Sequence, residues 1–287
     1  MEKHIHNKII FTQEQLEDIK NSYLNNESSV SIGKRYNVCH KVILRRLHEM
    51  GVEVDQRKFV RKYYVDESYF DSIDTPNKAY ILGFLYADGC NCKSKGTISM
   101  SLEEHDKDIL EKIRKELKSE KPLEYIDNSK KCSDGYNYKN QYRLLIFSTH
   151  MCEALEKIGM VPNKSLVLSF PDIREDLIPH FIRGYFDGDG SISRHYVAGK
   201  YSPQYILTIT STESFCKSIS KIANDTLDLY VGVYDAACHN GVTRVYSISG
   251  KWVVKKFLDW IYCDAELYLQ RKYDRYVNYY TNKSLTA

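Results

Sequence analysis

The stretch Ile81-Leu82-Gly83-Phe84-Leu85-Tyr86-Ala87-Asp88-Gly89 returns later in the chain as Ile182-Arg183-Gly184-Tyr185-Phe186-Asp187-Gly188-Asp189-Gly190, with Asp88 and Asp189 standing 101 positions apart. Each segment has small residues at i and i+4, Gly83 with Ala87 and Gly184 with Gly188. A helix puts such positions on one face. Glycine inside a helix costs about 1 kcal/mol relative to alanine, and it is tolerated where two backbones must approach closely. The segments therefore predict two apolar helices that cross on these faces and bring Asp88 and Asp189 together at their C-terminal ends.

A helix C-terminus already carries roughly half a negative charge, and a second carboxylate makes the position worse. A divalent ion with oxygen ligands and retained waters offsets both, and Mg²⁺ fits, with Mn²⁺ or Ca²⁺ expected to substitute in binding. Two carboxylates and such an ion on a two-fold axis suit phosphodiester hydrolysis. A single Asp-Gly after an apolar helix reads as an ordinary cap and turn; two copies in matched segments do not.

Around these segments the pattern repeats. The first unit, residues 75–170, opens at Thr75-Pro76, a helix start with proline in its first turn. After Asp88-Gly89 it predicts a strand at 96–102, a helix at 105–117, strands at 122–126 and 141–148, and a helix at 149–158. The second unit, residues 171–287, opens near Leu177-Ile178-Pro179. It predicts strands at 191–196 and 204–210, a helix at 212–223, strands at 229–234 and 243–249, and a closing helix at 251–262. Arg143 and Arg244, each in a late strand, are again 101 apart. Two equal units suggest a pseudo-two-fold axis, and duplex DNA is a two-fold partner.

Upstream, in a domain placed at residues 1–53, residues 12–51 read as three short helices. Thr12 with Gln15 makes a capping box, Asn37-Val38 a turn, and Gly51 a C-cap. The third helix has Val42, Ile43, Leu47 and Met50 on one face and His40, Lys41, Arg45 and Arg46 on the other. This resembles a helix-turn-helix with the third helix as reader. A basic linker, 54–74, follows, in which Arg57, Lys58 and Arg61 can track phosphates. Up to Tyr64 there are 12 Lys+Arg against 8 Asp+Glu, which concentrates the chain's net +3 in this part.

With 43% hydrophobic and 28% charged residues in 287, the chain is expected to be a globular protein of two or three domains. Its longest apolar stretch is far short of the roughly 20 residues a membrane span needs. The first ten residues lack the apolar core of a signal peptide, so a cytoplasmic location and no membrane partner are expected. The eight cysteines form no C-x-x-C pair and are expected to be reduced thiols.

The two segments resemble the LAGLIDADG motifs of homing endonucleases, in the single-chain arrangement with two motifs, over about residues 74–280. The resemblance implies an α+β fold: tandem pseudo-two-fold αββαββα units with saddle-shaped antiparallel sheets over the DNA major groove, here preceded by a small all-α helix-turn-helix domain. It implies a site-specific, Mg²⁺-dependent double-strand DNA endonuclease acting as a monomer. Asp88 and Asp189 would hold the metal, helped by the carbonyls of Ala87 and Gly188. Lys164 and Lys272 would be the catalytic basic residues near the unit ends, with Arg271 a rival for Lys272. Tyr86 departs from the family's common Asp at that position, which Asp187 keeps. Strand residues including Ser99, Ser101, Arg143, Arg194, Gln204, Thr208, Thr210 and Arg244 would face DNA. Two other readings stay open: a non-cleaving DNA-binding regulator of the same fold, and a maturase acting on its own intron RNA.

Overall fold

The computed structural model describes residues 10–25, 27–54, 63–128, 132–133, 136–161, 164–196, 199, 202–235 and 243–281. The chain divides into two compact units, Met1–Lys62 and Tyr63–Ala287.

In the smaller unit, α1 (Gln13–Leu24), α2 (Ser29–Arg35) and α3 (His40–Glu49) enclose Ile19, Tyr23, Ile32, Ile43 and Leu47. The capping box forms as the sequence predicts: Gln15 N–H donates to Thr12 Oγ1 at 3.3 Å, and Thr12 N–H donates to Gln15 Oε1 at 2.9 Å. The turn between α2 and α3 is tight. Asn37 takes φ 53°, and a Cβ on Gly33 would lie 2.7 Å from the Val38 carbonyl oxygen. Lys41 and Arg45 are exposed, whereas Arg46 and His40 are half-buried and Arg46 pairs with Glu49 at 2.6 Å. Arg57, Lys58 and Arg61 of the expected basic linker lie outside the described residues.

The larger unit begins with α4 (Pro76–Asp88), whose first turn is capped by the Thr75 hydroxyl. Then come β1 (Gly89–Cys92), β2 (Thr97–Glu103), α5 (Lys107–Glu116), β3 (Glu124–Ile126), β4 (Cys132–Ser133), β5 (Tyr136–Asn137), β6 (Gln141–Phe147) and α6 (Thr149–Ile158). The order recurs in α7 (Ile178–Asp189), β7 (Gly190–His195), β8 (Gln204–Thr212), α8 (Glu213–Leu227), β9 (Val233–Asp235), β10 (Thr243–Ser249) and α9 (Lys251–Ile261), followed by α10 (Gln270–Thr281). Two antiparallel sheets result, β1-β2-β6-β3 and β7-β8-β10-β9. The fold is thus α+β, a tandem of αββαββα units. It contains three additions to the sequence expectation: β1, the small β4–β5 ladder and α10.

Strand alternation sorts the faces. Ile98, Met100 and Leu102 of β2 and Tyr205, Leu207 and Ile209 of β8 are buried, under helices, whereas Ser99, Ser101, Gln204, Thr208 and Thr210 take the opposite face. The registers correct one expectation. Met100 pairs with both Gly89 and Leu144, and Ile209 with both Gly190 and Tyr246. Leu144 therefore corresponds to Tyr246, and Arg143 to Val245, not to Arg244. A one-residue slip reverses the face. Arg143 and Gln204 take the open face. Arg244 shares the helix-side parity of Tyr246, and Arg194 that of Ile192. Arg244 pairs with Glu213 of α8 at 3.5 Å, and Arg194 lies over the Tyr279 ring of α10 at 5.1 Å. Among the described residues no helix is long and apolar enough to cross a membrane.

Candidate active site at two helix ends

The crossing of α4 and α7 is built from missing side chains. A Cβ added to Gly83 would sit 2.0 Å from the Phe181 carbonyl oxygen, and one added to Gly184 would sit 2.0 Å from that of Tyr80. Further along, a Cβ on Gly188 would meet the Ala87 Cβ at 2.3 Å and Asp88 Oδ2 at 3.1 Å. The helices thus touch backbone to backbone through their last turns, and Asp88 and Asp189 end side by side. Both residues remain exposed, but protein surrounds their carboxyls closely enough to strip part of their hydration. This loss, then the charge of Asp189, pushes Asp88 up to about 6, against the pull of Lys272, Lys164 and Arg271. Partial burial also raises Asp189, opposed by Lys164, Lys272 and the Tyr185 hydroxyl.

Both candidate lysines reach this point. Lys164, in a short 3₁₀ turn after α6, donates from Nζ to the Ala87 carbonyl at 2.9 Å. Lys272, in the first turn of α10 and 5% exposed, donates to the carbonyls of Phe186 at 2.6 Å, Gly188 at 3.2 Å and Gly190 at 2.5 Å. Cations here bond carbonyls at a helix end and offset its negative pole. Burial draws Lys272 down to about 8 and lowers Lys164 as well. Arg271 points elsewhere, its Nε donating to both oxygens of buried Asp106 at 3.1 and 2.9 Å.

Tyr86 and Asp187, at matching positions, each anchor a helix end to later chain. Tyr86 donates its hydroxyl to the Ile158 carbonyl at 2.8 Å. Asp187, fully buried, accepts from the Tyr80 hydroxyl at 2.9 Å, the Tyr262 hydroxyl at 2.8 Å and the Leu269 N–H at 2.7 Å. Burial raises its carboxyl, against Lys272 and these three donors. Arg183, also wholly buried, donates to the carbonyls of Leu267 at 2.9 Å and Ile261 at 2.7 Å. Arg183 and Asp187 together fix the segment that delivers Lys272. Sequence reasoning passed over Arg183, Tyr80 and Tyr262; an arginine inside an otherwise apolar helix was the available signal.

The donor set at the helix ends is all oxygen: two carboxylates and the Ala87 and Gly188 carbonyls, each of which has a second lone pair beyond its lysine bond. That chemistry fits a hard divalent ion keeping several waters. Among the described residues no group of three or more His, Cys, Asp or Glu gathers for a metal, so a protein-only cage is not what this site offers.

No family model and no curated protein sequence matches the chain. Solved structures similar to it include the meganuclease I-SmaMI bound to uncleaveable DNA (11% identity, 70% of this chain and 87% of that one, TM-score 0.47). They also include the LAGLIDADG homing endonucleases I-LtrWI bound to target DNA (11%, 73% and 89%, 0.46) and I-GzeII in complex with its DNA target (13%, 73% and 89%, 0.49).

Proposed function

We propose that the chain is a site-specific DNA endonuclease of the LAGLIDADG homing type, which hydrolyses one phosphodiester bond in each strand of its target with the help of Mg²⁺. One observation carries this reading: a glycine-lined helix crossing holds two accessible carboxylates together, flanked by two lysines. Fold stability does not ask for the paired carboxylates, since burial and their mutual charge make them resist ionisation there.

Asp88 and Asp189 would hold the metal, which would supply charge stabilisation at the phosphate and a more acidic water. The protein's own groups do the remainder. The carboxylates hold their position because the helices cannot slide without a clash at Gly83 or Gly184. Lys164 and Lys272 present ammonium groups where negative charge develops on the phosphate. Water adds to phosphorus, the bond to the leaving sugar oxygen breaks, and that oxygen takes up a proton. On the open sheet faces, Ser99, Ser101, Arg143, Gln204, Thr208 and Thr210 offer the polar groups that major-groove edges require. Lys41 and Arg45 on α3, with His40 and Arg46 beside them, are proposed to bind DNA separately and to raise affinity through the linkage. The protein acts as a monomer on this reading, since both motifs lie in one chain.

The test is incubation of purified protein with duplex DNA that joins the two flanks of its gene, in Mg²⁺ and in EDTA. A single double-strand cut with Mg²⁺ only is the expected result. Tight binding without any cut in Mg²⁺ or Mn²⁺ would instead favour a non-cleaving regulator.

A further inference from the structure

On the open face of the first sheet, Arg143 stands in a row between Ser101 of β2 and Glu124 of β3. Its Nε and Nη2 both donate to Glu124 Oε2, at 3.0 and 2.7 Å. The other oxygen of that carboxylate, Oε1, accepts from Lys121 Nζ at 2.6 Å. The carboxylate is thus held from both sides, and it fixes the plane of the guanidinium in turn. The second sheet has a different row at the same place. There the residues corresponding to Ser101, Arg143 and Glu124 are Thr210, Val245 and Tyr234. The shared fold therefore does not require the ion pair. With side chains 41% and 31% exposed, the pair also adds little stability.

A carboxylate on a face that meets DNA weakens the attraction for phosphate, so Glu124 needs another reason to be there. The geometry of the guanidinium supplies one. Its five N–H donors lie in one planar fork. Glu124 takes the edge formed by Nε and Nη2. Among the described residues no acceptor takes the edge formed by Nη1 and Nη2. In the major groove, guanine is the base that shows two neighbouring acceptors and no donor, N7 and O6, and a bidentate arginine matches them. A loose arginine reaches phosphates as readily as bases; one whose plane is fixed by a partner is suited to a base edge.

We infer that Arg143, oriented by Glu124 as a positioning residue, reads one guanine in the half-site that faces the first sheet, and that the matching base pair in the other half-site, facing Val245 and Tyr234, carries no such requirement. The inference rests on the reading that the open sheet faces bind DNA, not on cleavage.

The experiment selects duplexes that bind the whole protein from a randomised pool in Ca²⁺ and sequences them, for wild type and for each variant. Arg143→Met should lower the enrichment of guanine at one position about 10-fold or more and leave the preferences at all other positions as in wild type. Glu124→Gln should lower the same preference less steeply and no other. Val245→Ala should change no guanine preference. A uniform loss of affinity with unchanged preferences would show that Arg143 contacts a phosphate, and it overturns the inference. Preferences lost at many positions would show a structural role and overturn it too, as would a wild type that enriches no sequence. An unchanged preference in Glu124→Gln refutes the positioning role. Because the selection needs no cleavage, failure of the selected duplex to be cut in Mg²⁺ sinks the nuclease reading alone.

Discussion

Gly83 and Gly184 each face the backbone of the opposite helix, and a methyl group on either would lie 2.0 Å from a carbonyl oxygen, that of Phe181 or of Tyr80. This reciprocal contact sets the spacing of the helix ends and hence of Asp88 and Asp189. Gly184→Ala should destabilise the protein by about 3 kcal/mol, since backbone cannot move aside as a side chain can. Chemical denaturation measures this, and a wild-type midpoint for the variant would refute the crossing.

Metal-free protein should become more stable when Asp88 loses its charge. Its folded-state pKa of about 6 lies above the ordinary 3.8, so the folded state binds the proton more tightly and this residue's contribution declines as pH rises from about 4 to 6. Asp88→Asn should raise Tm by about 2 °C at pH 8, with the difference shrinking below pH 6. With Mg²⁺ bound, the cation opposes protonation of the Asp88 carboxyl and the pH dependence should weaken. Thermal scans from pH 4 to 8 check the first part, and an Asn variant less stable than wild type at pH 8 would contradict it.

The two lysines should behave differently. Lys164→Met and Lys272→Met should each lower cleavage by about 100-fold. Only Lys272→Met should also lower Tm, by about 3 °C, because three carbonyls lose their donor. Equal thermal behaviour of the two variants would show that Lys272 is not part of the helix-end structure.

Arg183 and Asp187 are charges inside the core, and removing either leaves the other's network incomplete. Arg183→Leu or Asp187→Tyr alone should cost about 3 kcal/mol or more. Together they copy the Leu82 and Tyr86 of the first unit, and the double variant should lose less than the two singles combined. A double-mutant cycle measures the coupling, and simple additivity would rule it out.

The part of this arrangement visible in the sequence is the part held by backbone contact. Only small residues fit at 83, 87, 184 and 188, so the pattern survives as letters. Lys164 and Lys272 were reachable only through the family resemblance, because a lysine on a loop or a tyrosine-rich helix has no spacing of its own. The α10 helix escaped detection because Gln270–Thr281 buries tyrosines against tyrosines, as in the stacked Tyr262–Tyr276 pair, and carries no aliphatic stripe. The β1 strand, Gly89–Cys92, is four residues without a β-branched side chain. Arg143 and Arg244 share the 101 offset of the aspartates, yet β10 is displaced from β6 by 102 residues, which puts Arg244 on the face opposite to that of Arg143. Asp187 stands at the family's common Asp position, but its partners Tyr80 and Tyr262 come from distant segments that no local pattern links.

The central claim is that Asp88 and Asp189 jointly serve phosphodiester hydrolysis. The most direct measurement is Mg²⁺-dependent cleavage of the joined-flank duplex by wild type, Asp88→Asn, Asp189→Asn and the double variant, with binding to the same duplex followed in Ca²⁺. Retained binding with cleavage reduced at least about 1000-fold in each single variant, and absent in the double, is the predicted result. Full cleavage by the double variant would contradict the claim outright.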